Sequence, residues 1–122
     1  MIATLAPATK TILLVEQDPS VLKFIRTLLE KEGFPVLSAT TAKQALRIEA
    51  EFSGTIHLLI VAMTLGAASG VDLARKLRQR RPELQVILTS SYQDGQMLAA
   101  NNGWRFLAKP FSAAALLDRV KA

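Results

Sequence analysis

His57-Leu58-Leu59-Ile60-Val61-Ala62-Met63-Thr64-Leu65-Gly66-Ala67-Ala68-Ser69-Gly70 is the stretch whose reading decides the fold. Residues 58–61 form an apolar run without polar alternation, followed by a loop of small residues between Gly66 and Gly70. A run of this kind, set between two helical patterns, is covered on both faces and belongs in the middle of a parallel sheet. Ligands and chemistry gather at the carboxyl ends of such strands. The residue at that end is Ala62, and a methyl group supports no chemistry.

Outward from this strand the same alternation repeats. Upstream, residues 11–16 (TILLVE) read as a first strand. Asp18 is placed to cap a helix whose first position is Pro19, where the missing N–H costs nothing. Val21, Phe24, Ile25, Leu28 and Leu29 recur at helical spacing on its inner face, and Gly33 ends it. Residues 34–39 read as a second strand. Thr41 with Gln44 forms a capping-box signature for a helix to about Phe52, with Ala42, Ala45 and Leu46 inward. Downstream, a third helix runs from Gly70 to about Arg81 with Leu73, Ala74 and Leu77 inward, and Pro82 stops it. Residues 85–90 are a fourth strand, 92–102 hold a short helix, and 104–108 are a fifth strand. Ser112 caps a last helix with Ala113, Leu116, Leu117 and Val120 on one face. Five strand-helix units in succession predict an α/β fold with a doubly wound, five-stranded parallel sheet and right-handed crossovers.

A chain of 122 residues, half of them apolar, makes one domain, read here as residues 11–122 behind an N-terminal extension of residues 1–10. The extension lacks the charged start and apolar run of a signal peptide, and no segment approaches the ~20 apolar residues of a membrane span. A cytoplasmic protein without membrane contact is the expectation. Absence of cysteine excludes disulfides, thiol catalysis and cysteine-ligated metals. Fifteen Lys and Arg against ten Asp and Glu give a net charge of +5. Arg75, Lys76, Arg78, Arg80 and Arg81 cluster on the third helix without interleaved aromatics, which reads as a solvated face rather than a nucleic-acid footprint. His57, at the start of its strand, reads as a surface residue.

Polar residues stand at three strand ends: Glu16 after the first, Ser90 after the fourth and Lys109 after the fifth. With the first and third strands adjacent, these converge around Ala62. The arrangement is that of a site whose centre is a methyl group.

The segments ILLVEQDPSVLKFI, LLIVAMTLGAASGVDLARKLR, PELQVILTSS and FLAKPF, in this order across residues 11–121, resemble a response-regulator receiver domain of the CheY-like family. Members are phosphorylated on an aspartate by a histidine kinase in two-component phosphorelay signalling. The resemblance implies a flavodoxin-like (CheY-like) three-layer (βα)5 sandwich with strand order 2-1-3-4-5. It places the family's acidic pair on Glu16 and Gln17, the phosphoacceptor aspartate on Ala62 and the Mg²⁺-binding carbonyl on Thr64. Gly66 stands where proline is common. The phosphoryl-contacting hydroxyl falls on Ser90, with Ser91 in the small-residue position after it. The lysine falls on Lys109, followed by a typically cis Pro110, and the aromatic switch falls on Phe106. Trp104 and Phe106 belong to the face of fourth helix, fifth strand and fifth helix that receivers use for dimers and partners.

Phosphoryl transfer of this type needs a carboxylate nucleophile, a hard cation on oxygen ligands and positive charge on the moving group. Ala62 removes the nucleophile, and Ala62 with Gln17 leaves Glu16 as the residual acidic ligand, so Mg²⁺ binding should be weak or absent and Lys109 should pair with Glu16. The expectation is a degenerate pseudo-receiver. It is no enzyme, needs no cofactor, and works as a phosphorylation-independent module for a histidine kinase, an output domain, another receiver or a second copy of itself. The alternatives are an ordinary phosphorylatable receiver inactivated at Ala62, and nucleic-acid or small-ligand binding on the same fold.

Overall fold

The computed structural model describes residues 10–122; the N-terminal extension, apart from Lys10, lies outside the described residues. The elements run β1 (Ile12–Val15), α1 (Pro19–Lys31), β2 (Val36–Ala39), α2 (Ala42–Glu51), β3 (Leu58–Ala62), β4 (Thr64–Leu65), β5 (Ala68–Ser69), α3 (Gly70–Arg80), β6 (Gln85–Ser90), α4 (Gln93–Asn101), β7 (Arg105–Ala108) and α5 (Ala113–Lys121). The main sheet is parallel with order β2-β1-β3-β6-β7, the 2-1-3-4-5 order that the resemblance implies once its five strands are numbered alone. This is the flavodoxin-like architecture. The loop of small residues is not structureless: Thr64 and Leu65 pair antiparallel with Ser69 and Ala68 to form a short hairpin. Gly66, at φ 64°, supplies the left-handed turn it needs.

β3 is buried along its whole length. Leu13, Val15, Leu59, Val61, Val86 and Leu88 point to one face, where Ala45, Leu73, Leu77 and Ala99 of α2, α3 and α4 close over them. Ile12, Leu14, Leu58, Ile60 and Ile87 point to the other, under Ile25 and Leu29 of α1 and Leu116 and Val120 of α5. Strand alternation therefore divides one apolar run between two cores.

The caps explain where the helices begin. Asp18 Oδ1 accepts hydrogen bonds from the Ser20 and Val21 amides ahead of Pro19. Thr41 Oγ1 accepts from the Gln44 amide, but the Gln44 side chain returns to the amide of Thr40, one residue before the cap. Ser112 caps α5 as read. Gly33 follows the end of α1 at φ 89°.

Three features differ from the sequence reading. Phe24, placed inward by helical spacing, is exposed, because the stripe of α1 is wider than the core; its ring lies 6.3 Å from that of Phe111. His57 is partly buried and its Nδ1 accepts the Thr11 amide at 2.9 Å, tying the chain entering β1 to the start of β3. Arg80 and Arg81 are not simply a solvated face. Both donate to the buried carboxylate of Glu49 on α2, at 2.7 and 2.9 Å, and Arg81 also donates to the carbonyls of Glu49, Phe52 and Gly54. Glu49 falls at a helical position that periodicity assigns to the core, and its partners lie some thirty residues away.

Burial alone would raise the pKa of Glu49; the hydrogen bonds and charges of Arg80 and Arg81 outweigh it and hold the carboxyl below its ordinary value of 4.5. The unfolded chain therefore binds this proton more readily than the folded one. The stabilisation is complete above the ordinary value and is lost as pH falls through the lower, folded one. Glu49→Gln should lose about 2 kcal/mol at pH 7, and the deficit should shrink as the solution is made acidic, read by urea unfolding at neutral and acid pH. A deficit independent of pH would show that the ion pair contributes nothing.

Candidate functional site

The register brings the strand ends together. Val15 pairs with Val61, so Glu16 follows directly beside Ala62; Ala62 pairs with Thr89, and Ser90 with Ala108, so Ser90 and Lys109 complete the row. Ala62 is buried at the end of β3. Gly70 passes so close that a β-carbon there would lie 1.8 Å from the Ala62 carbonyl oxygen. Glycine at this position is what lets α3 start against the end of the central strand.

Glu16 is 3% exposed. Its Oε1 accepts from Lys109 Nζ at 2.7 Å and its Oε2 from the Asp18 amide at 3.0 Å. Glu16 is held in place because its own amide still donates to Ala39 of β2. Gln17 turns outward, and its Oε1 accepts the Gly66 amide at 2.5 Å, so the loop after β1 is clamped to the hairpin after β3. Ser90 Oγ accepts the Tyr92 amide at 2.9 Å and holds the entry to α4. Thr64 is exposed in the hairpin. The Lys109-Pro110 bond is cis.

Phe106 is partly buried, with one ring edge against α4: a β-carbon on Gly95 would come within 2.9 Å of its Cε1 and 2.8 Å of Ser90 Cβ. Gly95 thus provides the space that Ser90 and Phe106 share. Trp104 is partly exposed at the start of the same strand. The structure therefore brings Glu16, Gln17, Ala62, Ser90 and Lys109 to one end of the sheet. Trp104 lies toward the opposite end, as β7 runs parallel to its neighbours. Sequence carries no signal for Gly95. The clamp from Gln17 to Gly66 is foreshadowed only by the positive φ that a turn glycine suggests.

These residues do not fit a hard cation. Such an ion takes several oxygens, preferably carboxylates, whereas Glu16 has both oxygens engaged, the Gln17 oxygen is engaged with Gly66, and Asp18 is used as a cap. Among the described residues no group of three or more His, Asp or Glu side chains comes together. The site holds one ion pair, three side-chain oxygens that accept from backbone amides, and a methyl group at the end of β3.

The sequence model of the family described as the response regulator receiver domain matches residues 12–121. The chain is 30% identical over 122 residues to the sensor kinase CckA of Brucella abortus (strain 2308), covering 98% of this chain and 13% of that protein. It is 31% identical over 116 residues to the transcriptional regulatory protein CpxR of Escherichia coli (strain K12), covering 91% of this chain and 47% of that one. It thus spans less than half the length of either relative. Among solved structures, a receiver domain protein (CheY-like) from Methanospirillum hungatei JF-1 superposes with a TM-score of 0.82 at 26% identity, covering 93% of this chain and 92% of that one. A receiver domain protein from Clostridium thermocellum gives 0.79 at 28% identity, covering 92% and 94%.

Removing one partner of a buried ion pair leaves the other charged and unanswered. Lys109→Ala should therefore destabilise the fold by about 3 kcal/mol, less whatever water recovers at the partly exposed lysine. Glu16→Leu with Lys109→Met should regain most of the loss. A double-mutant cycle by urea denaturation measures both; additive single losses would show that the pair is not coupled.

Proposed function

The chain belongs to the response regulator receiver family, whose members serve two-component signalling, and from that premise we propose that it acts as a pseudo-receiver, an interaction module independent of phosphorylation. The observation that carries the reading is the methyl group of Ala62, buried beside Glu16 at the end of β3. The methyl group that stands at the acceptor position cannot take up a phosphoryl group, and Lys109, which would steady one, is bound to Glu16. Glu16, Gln17, Ser90 and Lys109 each answer another group of the same chain.

A module of this kind works through its surface in the cytoplasm, by docking a histidine kinase, an output domain, another receiver or a second copy of itself. The face formed by α4, β7 and α5 suits that role, since Tyr92 and Met97 are exposed at α4 and Phe106 lies partly exposed on β7. An ordinary receiver silenced by a single change at position 62 is the weaker reading. Gln17 is a second departure, and its amide is built into a clamp on Gly66. Nucleic-acid binding through α3 loses two of its five cations to Glu49.

Incubation with Mg²⁺ and acetyl phosphate, followed by intact-mass measurement, tests the reading. This chain should remain unmodified, and the double variant Gln17→Asp, Ala62→Asp should gain one phosphoryl group. Modification of the unaltered chain, with Asp18 the first residue to examine, would overturn the proposal.

A further inference from the structure

At the end of the sheet opposite the strand-end site, a surface depression of about 430 Å³ lies between the C-terminal end of α3 and the starts of β6 and β7. Arg78, Trp104 and Arg105 line it, and a second depression that shares Arg78 and Trp104 adjoins it, with Arg75 and Asn102 on its wall. Two buried side-chain donors among the described residues have no hydrogen-bond partner, Arg78 Nε and Trp104 Nε1, and both belong to residues of this wall. A buried donor left unmet has given up its hydrogen bonds to water with nothing in return.

The charges here are also unanswered. Arg81 and Lys109, both partly buried, have carboxylate partners. Arg78, equally partly buried, has none within 4.0 Å among the described residues and donates to a neutral acceptor instead. Arg78 reaches only the Pro82 carbonyl, at 2.6 Å. Arg105 reaches the Gln85 side chain and the carbonyls of Arg119 and Ala122. Glu83 is on the rim but exposed and unpaired. Inside the rim the unmatched groups are donors, the Arg78 Nε and the Trp104 Nε1, and what they lack is an acceptor.

We propose that this depression binds an oxyanion, a carboxylate or phosphate group, through Arg78 and the indole N–H of Trp104, with Arg105 supplying further positive charge. Both unpartnered N–H groups are closed to solvent in this conformation, so binding requires the Arg78 and Trp104 side chains to turn toward the depression. A guanidinium offers an oxyanion two parallel donors, and the indole N–H adds a third from a different direction. The anion has two possible sources, a free small molecule or an acidic side chain of a partner protein. Nothing in the argument depends on the state of Ala62, so the proposal stands or falls apart from the pseudo-receiver reading.

Trp104 is the only tryptophan in the chain, so its emission reports this depression alone. The full chain is titrated with sodium phosphate and, separately, with an acetylated, amidated tetraglutamate peptide, at ionic strength held constant with sodium chloride. A saturable change in Trp104 emission is expected, weakened at least tenfold in Arg78→Gln and in Arg105→Gln, with circular dichroism confirming that each variant is folded. Saturation by phosphate assigns a free anion; saturation by the peptide alone assigns an acidic partner. No saturable change with either probe, or a response unaltered in both variants, overturns the proposal. Should Arg78→Gln fail to fold, Arg105→Gln and amide chemical-shift titration of the unaltered chain decide it by the same criteria.

Discussion

The ion pair between Glu16 and Lys109 joins the end of β1 to the end of β7 across 93 residues of sequence. A carboxylate that is 3% exposed at the mouth of a sheet is tolerated only if a cation and hydrogen bonds replace the water it lost. Lys109 and the Asp18 amide supply both. Because β1 and β7 lie on either side of the central pair, satisfying this one carboxylate holds the whole carboxyl edge of the sheet in register. The Gln17 clamp and the Ser90 bond to Tyr92 then fix the adjoining loops to that edge.

The two ends of the sheet contrast in chemistry. At the carboxyl end Glu16, Gln17, Ser90 and Lys109 are answered from within. At the amino end of β6 and β7, the Arg78 guanidinium and the Trp104 indole N–H have no negative acceptor. The net charge of +5 is thus not spread evenly as a solvated coat. Part of it locks α2 to α3 through Glu49, part closes the strand-end site, and part is left at the opposite end.

Local patterning made most of the architecture legible. An apolar run of four residues after His57 marks a strand buried on both faces, Asp18 before Pro19 marks the start of a helix, and Gly33 marks its end, because each depends only on neighbours in the chain. The candidate site was readable as a row of strand-end residues for the same reason: parallel strands of known order place their ends side by side. Phe24 shows the limit of periodicity, since a helical stripe says which face is apolar and not how far the core extends over it.

What the sequence by itself determined is the order of strands and helices, the doubly wound sheet and the absence of a carboxylate at position 62. Periods of two and 3.6 residues, caps and turn glycines are short-range properties and need no knowledge of the rest of the chain. Tertiary structure alone decided which charges meet. Glu49 finds Arg80 and Arg81, Gln17 finds the Gly66 amide, His57 finds the Thr11 amide, and Arg78 Nε and Trp104 Nε1 find no acceptor. Hydrogen bonds and ion pairs act over about 3 Å and depend on orientation, so partners separated by tens of residues are chosen by how the layers pack, which no local period encodes.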